Sequence, residues 1–208
     1  MVKVKICGIT NLQDALAAVI AGADALGFVF YRRSPRYIAP EVAREIIRLL
    51  PKKIIKAGVF VDMPLARIKN IAKACKLDIL QFHGKETPQF CRKFKNYCVV
   101  KALRVNKAVD LTEILQYNTY GYLFDSYVRS TPGGTGKCFN WKLLRNIAAI
   151  KRPVFLSGGL HEGNVLRAIK AVRPTWVDAS SSLERSPGKK DHRRIARFIK
   201  KVKSSKLQ

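Results

Sequence analysis

Two short apolar runs of this chain end in residues able to move a proton. Val2-Lys3-Val4-Lys5-Ile6-Cys7 closes on a thiol followed by Gly8, and Tyr122-Leu123-Phe124-Asp125 closes on a carboxyl more than a hundred residues later. Both runs read as strands. In a chain of repeated strand-helix units, side chains at the carboxyl ends of strands converge on one mouth of a barrel, where such barrels do their chemistry. A free thiol, with a pKa of about 8.5, is a poor base until shifted. Lys5 is the candidate shifter: residues alternate faces along a strand, so Lys5 and Cys7 share the inward face, where an ammonium favours the thiolate. The competing reading pairs Lys5 with a barrel carboxylate such as Asp178.

Two loops further on have the makings of an anion site. Ser157-Gly158-Gly159-Leu160 follows the seventh strand-like run, and Asp178-Ala179-Ser180-Ser181-Ser182-Leu183-Glu184 closes the eighth. In barrels these loops often hold a phosphate, because backbone N–H groups freed by glycine and a helix N-terminus converge on it. A third glycine loop, Thr131-Pro132-Gly133-Gly134-Thr135-Gly136-Lys137, lacks the frames of a P-loop and of a dinucleotide site and reads as a mobile active-site loop. His83 ends the fourth strand-like run and faces the same mouth, whereas His161 opens a helix, His192 sits among basic residues and Asp24 lies at the opposite, stability face.

The elements that must position these residues alternate from end to end. Strand-like runs at 2–7, 25–30, 54–61, 79–82, 98–102, 122–125, 154–157 and 176–179 are interleaved with helix-like stretches at 11–21, from 40, from 64, at 87–94, 111–116, 141–150 and 162–172, and at the basic end. Asn11 and Thr10 are N-cap candidates, Gly22 stops the first helix and Pro40 opens the second. Parallel strands need crossover helices, and eight crossovers without a hairpin signal or low-complexity linker point to a single-domain (β/α)8 TIM barrel over residues 1–208, with an open doubly wound sheet as the alternative. At 208 residues against the about 250 usual for this fold, its loops must be short.

Composition narrows the partners. Five cysteines, Cys7, Cys75, Cys91, Cys98 and Cys138, are odd in number and form no C-x-x-C pair, which argues against disulfides and zinc; apart from Cys7 they read as packing residues. No apolar run approaches the about 20 residues of a membrane helix, so a cytoplasmic protein is expected. The formal net charge is +26, with nine cations crowded between Lys189 and Lys206. Ile195, Phe198, Ile199 and Val202 keep helical spacing beneath them, so the charges read as a solvated helix face, and no aromatic-interleaved motif speaks for nucleic acid as a partner.

Eight segments, in order, resemble the phosphoribosylanthranilate isomerase family: Lys5-Ile6-Cys7-Gly8-Ile9-Thr10, Gly22-Ala23-Asp24 through Gly27-Phe28-Val29-Phe30, Ser34-Pro35-Arg36, Gly58-Val59-Phe60-Val61, Gln81-Phe82-His83-Gly84, Gly133-Gly134-Thr135-Gly136-Lys137, Ser157-Gly158-Gly159-Leu160 and Pro187-Gly188-Lys189-Lys190-Asp191. The resemblance implies a (β/α)8 barrel, often dimeric, that carries out a cofactor-free, metal-free Amadori rearrangement of N-(5-phosphoribosyl)anthranilate in tryptophan biosynthesis. It implies Cys7 as general base, Asp125 as general acid and Arg36 as partner of the anthranilate carboxylate. Gly158, Gly159, Ser180, Ser181 and Ser182 would hold the phosphate, and Lys5, Gln81, His83 and Asp178 support the site.

Two departures stand out. Ser182 occupies a position commonly glycine in the family's phosphate loop, which strains the backbone if φ is positive there. Cys138 and Asn140 stand where the family usually has Thr and Asp, which bears on the capping of the following helix. The rival readings are another phosphosugar barrel, such as indole-glycerol-phosphate synthase or a pentose-phosphate epimerase, and a basic nucleic-acid-binding protein on a barrel scaffold.

Overall fold

A computed structural model describes residues 1–126 and 140–205. The glycine loop at 131–137, together with Cys138, lies outside the described residues, as does Lys206. Eight parallel strands close into a barrel in sequence order: Lys3–Cys7 (β1), Ala25–Val29 (β2), Ile55–Phe60 (β3), Ile79–Phe82 (β4), Cys98–Val105 (β5), Gly121–Ser126 (β6), Val154–Leu156 (β7) and Trp176–Ala179 (β8). Ring closure is explicit in the pairing of Lys5 with Asp178 and of Lys3 with Trp176 across β1 and β8, which excludes the open sheet.

The outer ring is Leu12–Ile20 (α1), Pro40–Arg48 (α2), Leu65–Ala74 (α3), Pro88–Cys91 (α4), Leu111–Leu115 (α5), Val165–Val172 (α6) and His192–Lys203 (α7). Side chains of Asn11, Thr87 and Asp191 each accept from the backbone N–H three residues on and cap α1, α4 and α7. Beneath the charges of α7, Ile195, Phe198, Ile199 and Val202 are buried, as their spacing requires. No helix among the described residues is long and apolar enough to cross a membrane.

Alternation along the strands stacks the barrel interior in layers. A lower layer of Ala25, Ala57, Ile79, Val100, Leu123, Phe155 and Trp176 packs as one cluster. Its alanines leave room for the Phe155 and Trp176 rings, stacked with centroids 5.1 Å apart. One pleat higher on the same faces come Lys5, Gln81 and Asp178, all buried, and at the mouth Cys7 packs with Val29 and Val59. Gly27 makes room for the thiol: a Cβ there would stand 2.7 Å from Cys7 Sγ.

Four expectations need correction. The stretch Trp141–Ala149 is a 3-10 helix, because its buried anchors Leu144, Ile147 and Ile150 recur every three residues and line one face only at three residues per turn. Asn140 still caps it, accepting from Lys142 N at 3.1 Å. Helix α6 begins at Val165 rather than 162, since the Asn164 side chain binds His161 N and Gly159 O and holds the preceding turn out of the helix. A hairpin is present after all: Glu184–Ser186 (β9) pairs antiparallel with Lys189–Lys190 (β10) around Pro187-Gly188, with Gly188 at φ 76°. Finally, Cys98 is exposed and does not pack in the core, although Cys75 and Cys91 do.

Candidate active site

The strand ends, with the loops that follow β2, β7 and β8, line one cleft. Of the residues singled out from sequence, Cys7, Arg36, Gln81, His83, Asp125, Gly158, Gly159, Asp178, Ser180, Ser181 and Ser182 all line it. Lys5 lies one pleat below. Cys7 ends β1 and Asp125 is the next-to-last residue of β6, and β7 and β8 fill the ring between them, so a group held by the β7 and β8 loops has the thiol on one flank and the carboxyl on the other.

Lys5 resolves toward Asp178. Its Nζ donates to Asp178 Oδ1 at 2.8 Å, with both side chains almost wholly buried. Burial works against the ammonium, but the Asp178 carboxylate and then Cys7 outweigh it, so the Lys5 pKa is raised and the amine stays charged. The Cys7 thiol is nonetheless pushed up, not down. Burial dominates, and the opposing pull of Lys5 is partly cancelled by the nearby Asp178 charge. The expected thiolate shift is therefore absent: burial outweighs the ammonium, and the carboxylate paired with that ammonium weakens its pull further.

Asp125 is buried, and its Oδ1 accepts from Ser126 N at 2.8 Å. Its Oδ2 stands 3.3 Å from His83 Nε2, which is buried and lacks an aligned hydrogen-bond partner. Gln81 Nε2 lies 3.2 Å from His83 Nδ1. Assigning the Gln81 amide as the donor puts the imidazole proton on Nε2, toward Asp125.

The β7 loop carries Gly158 at φ 89° and Gly159 at φ 64°, and a Cβ on Gly158 would meet Ser126 N at 2.6 Å. Only glycine lets this loop lie against the end of β6. Ser182 is not among the non-glycine residues with positive φ, which are Asp62, Lys76, Asn118 and Arg173, so the glycine-like strain is absent. Its hydroxyl donates to Leu160 O and ties the β8 loop to the β7 loop. Ser180 Oγ similarly donates to Cys7 O at 2.9 Å.

Arg36 is not a surface charge. Its Nε and Nη2 both donate to Glu184 at 2.8 Å, and Glu184 in turn accepts from Lys190 Nζ at 2.8 Å. Sequence reasoning missed Glu184 and Lys190. The Pro187-Gly188 dipeptide is a turn signal that could have revealed their hairpin, but nothing local to Arg36 pointed 148 residues downstream. Among the described residues no group of three His, Cys, Asp or Glu is placed to hold a metal ion.

The chain matches the sequence pattern of the N-(5'phosphoribosyl)anthranilate (PRA) isomerase family over residues 4–201. It is 50% identical over 208 residues, covering 100% of this chain and 99% of the relative, to the N-(5'-phosphoribosyl)anthranilate isomerase of Pelobacter propionicus. The crystal structure of phosphoribosyl anthranilate isomerase from Thermotoga maritima superposes with a TM-score of 0.92 at 45% identity, covering 99% of this chain and 100% of that one. A phosphoribosyl anthranilate isomerase in complex with reduced 1-(o-carboxyphenylamino)-1-deoxyribulose 5-phosphate gives a TM-score of 0.89 at 44% identity, with 99% and 100% covered. With the match spanning nearly its whole length, this chain belongs to the N-(5'-phosphoribosyl)anthranilate isomerase family.

Proposed function

We infer that this barrel catalyses the family's reaction in tryptophan biosynthesis, the Amadori rearrangement of N-(5-phosphoribosyl)anthranilate to 1-(2-carboxyphenylamino)-1-deoxyribulose 5-phosphate. The observation that carries this reading is the gathering, in one cleft, of a thiol, a carboxyl, an arginine and a glycine-serine cradle from strands one, six, two, seven and eight.

In this reading the substrate phosphate lies against Gly158, Gly159 and the Ser180–Ser182 segment, and the anthranilate carboxylate meets Arg36. The sugar then spans the gap between Cys7 and Asp125. Asp125 gives a proton to the ribose ring oxygen; the ring C–O bond breaks and the anthranilate nitrogen is left in a Schiff base. Cys7 removes the C2′ proton, the electrons of that C–H bond flow toward the nitrogen, and the resulting enol passes to the ketone. One acid and one base suffice, since the substrate's own nitrogen is the electron sink. Ser126 N holds the Asp125 carboxyl, His83 stands beside it with Gln81 against its other ring nitrogen, and the Lys5–Asp178 pair supports the floor beneath Cys7.

We further assign residues 1–208 to one barrel domain and the protein to the cytoplasm, where its reaction class works on small phosphorylated intermediates. A Thermotoga maritima isomerase is described as dimeric, which supports a homodimer here. A fluorescence assay following loss of phosphoribosylanthranilate tests the function: the purified protein consumes it, and a folded preparation with no turnover overturns the reading.

A further inference from the structure

Arg36 meets Glu184 through the side edge of its guanidinium, with Nε and Nη2 both at 2.8 Å. A guanidinium carries five N–H donors in a planar fork. The side edge uses two of them, and the end edge, made by Nη1 and the outer Nη2 hydrogen, is the one left to take a second carboxylate with two parallel bonds.

A carboxylate clamp of this kind would by itself cancel the charge of Arg36 and leave the cleft without a net attraction for an anionic aryl group. Lys190 prevents that. Its side chain is fully buried, and its Nζ donates to Glu184 Oε1 at 2.8 Å, to Ser180 O at 3.2 Å and to Ser180 Oγ at 3.5 Å. Three acceptors match the three hydrogens of an ammonium. Burial lowers the Lys190 pKa while the Glu184 carboxylate opposes that shift. In the ammonium form, which its three acceptors suit, the trio Arg36, Glu184 and Lys190 holds two positive charges and one negative. Lys190 arrives there because the Pro187-Gly188 turn folds β10 back on β9. That turn is pinned by Thr10 Oγ1 to Gly188 O at 2.5 Å and by Lys190 N to Asp14 Oδ2 at 2.9 Å.

We propose that Glu184 and Lys190 are positioning residues for the substrate carboxylate: Glu184 fixes which edge of Arg36 faces the cleft, and Lys190 preserves the single net positive charge that the carboxylate requires. The inference rests on the reading of Arg36 as the carboxylate's partner. It makes Lys190→Met more harmful alone than in combination, since Lys190→Met leaves a neutral Arg36–Glu184 pair, whereas Glu184→Gln with Lys190→Met restores one net positive charge.

The test is steady-state kinetics on Arg36→Ala, Glu184→Gln, Lys190→Met and the double variant, with inorganic phosphate as a competitive probe that lacks the aryl carboxylate. Glu184→Gln is expected to raise KM about tenfold with a smaller fall in kcat, and to leave phosphate inhibition within about twofold, because a charge-assisted contact is lost only on the carboxylate side. Lys190→Met is expected to raise KM further, and the double variant to recover part of that loss. An unchanged KM in Glu184→Gln, equal weakening toward phosphate and substrate, or a double variant worse than Lys190→Met overturns the proposal. If Lys190→Met does not fold, the Glu184→Gln result decides alone. An unchanged KM in Arg36→Ala overturns the reading of Arg36 itself, and the proposal with it; a raised KM there beside an unchanged one in Glu184→Gln overturns only the proposal.

Discussion

Lys5 Nζ and Asp178 Oδ1 stand 2.8 Å apart directly under the Cys7 thiol, on paired positions of β1 and β8, with side-chain exposures of 1% and 6%. The contact closes the barrel electrostatically where the backbone closes it by hydrogen bonds. Removing one partner leaves a buried charge without its counter-ion, which costs about 3–5 kcal/mol. Lys5→Met is therefore expected to destabilise the protein by that order, read from denaturant unfolding. The double change of Lys5→Met with Asp178→Leu is expected to be far milder. Equal stability of the single variant and the parent would show that the pair is not the counter-charge described here.

Cys7→Ala and Asp125→Asn are each expected to lower kcat by at least about 100-fold while leaving the unfolding midpoint nearly unchanged, since a general acid or base contributes that much or more. Near-normal turnover in either removes that residue from the proposed mechanism.

The same thiol sets a pH dependence. Burial holds the Cys7 pKa above its ordinary value, so at neutral pH the free enzyme carries mainly the thiol. The base form grows as pH rises, and kcat/KM is expected to climb through the alkaline range toward that raised pKa, within the pH range where the fold survives. A profile flat between pH 7 and pH 10 would mean that free-enzyme thiol ionisation does not limit the reaction.

The inward placement of Lys5 and Cys7, and the position of Asp125 across two intervening strands, follow from strand alternation and the count of eight units alone, and the structure has both. Whether Lys5 serves the Cys7 thiol or pairs with a carboxylate such as Asp178 was open in the sequence, because the pairing of β1 with β8 is a property of ring closure and not of either segment. The hairpin at 184–190 escaped for a different reason. Its strands have three and two residues, too few for a period-two pattern to rise above the surrounding charges, and nothing local to Glu184 points to Lys190 until β10 folds back onto β9. The helix after the third glycine loop shows the limit of a helical period: anchors at every third residue fit a tighter helix that a 3.6-residue search does not separate.

Ser182→Gly is expected to be mildly destabilising. The serine has ordinary backbone geometry and its hydroxyl holds Leu160 O, so the change loses one hydrogen bond and adds unfolded-state freedom, together about 1–2 kcal/mol. Inhibition by inorganic phosphate should be equal or weaker in the variant. Clearly tighter phosphate binding by the glycine form would mean that serine strains the loop.

The last prediction concerns the charge on α7. Lys200 and Lys201 are exposed, while Lys203 Nζ donates to Asp24 Oδ2 at 2.7 Å. Asp24 in turn accepts from Val4 N at 2.7 Å, just ahead of β2 and so at the end of the barrel opposite Cys7. The helix therefore holds its terminal cations against the closed floor and outer wall, away from the cleft. At physiological salt, where screening acts over about 8 Å, replacing Lys200, Lys201 and Lys203 by Gln is expected to leave kcat/KM within about twofold. Stability should fall by no more than about 1 kcal/mol, the worth of one half-exposed ion pair at Asp24. The parent enzyme's kcat/KM is still expected to fall as salt rises if capture limits the rate, since the net positive charge of the Arg36–Glu184–Lys190 trio attracts a substrate with two anionic groups. If the triple variant loses most of its activity at physiological salt but regains it at low salt, the α7 lysines do reach the field of the mouth, and the separation between the two ends of the barrel argued here fails.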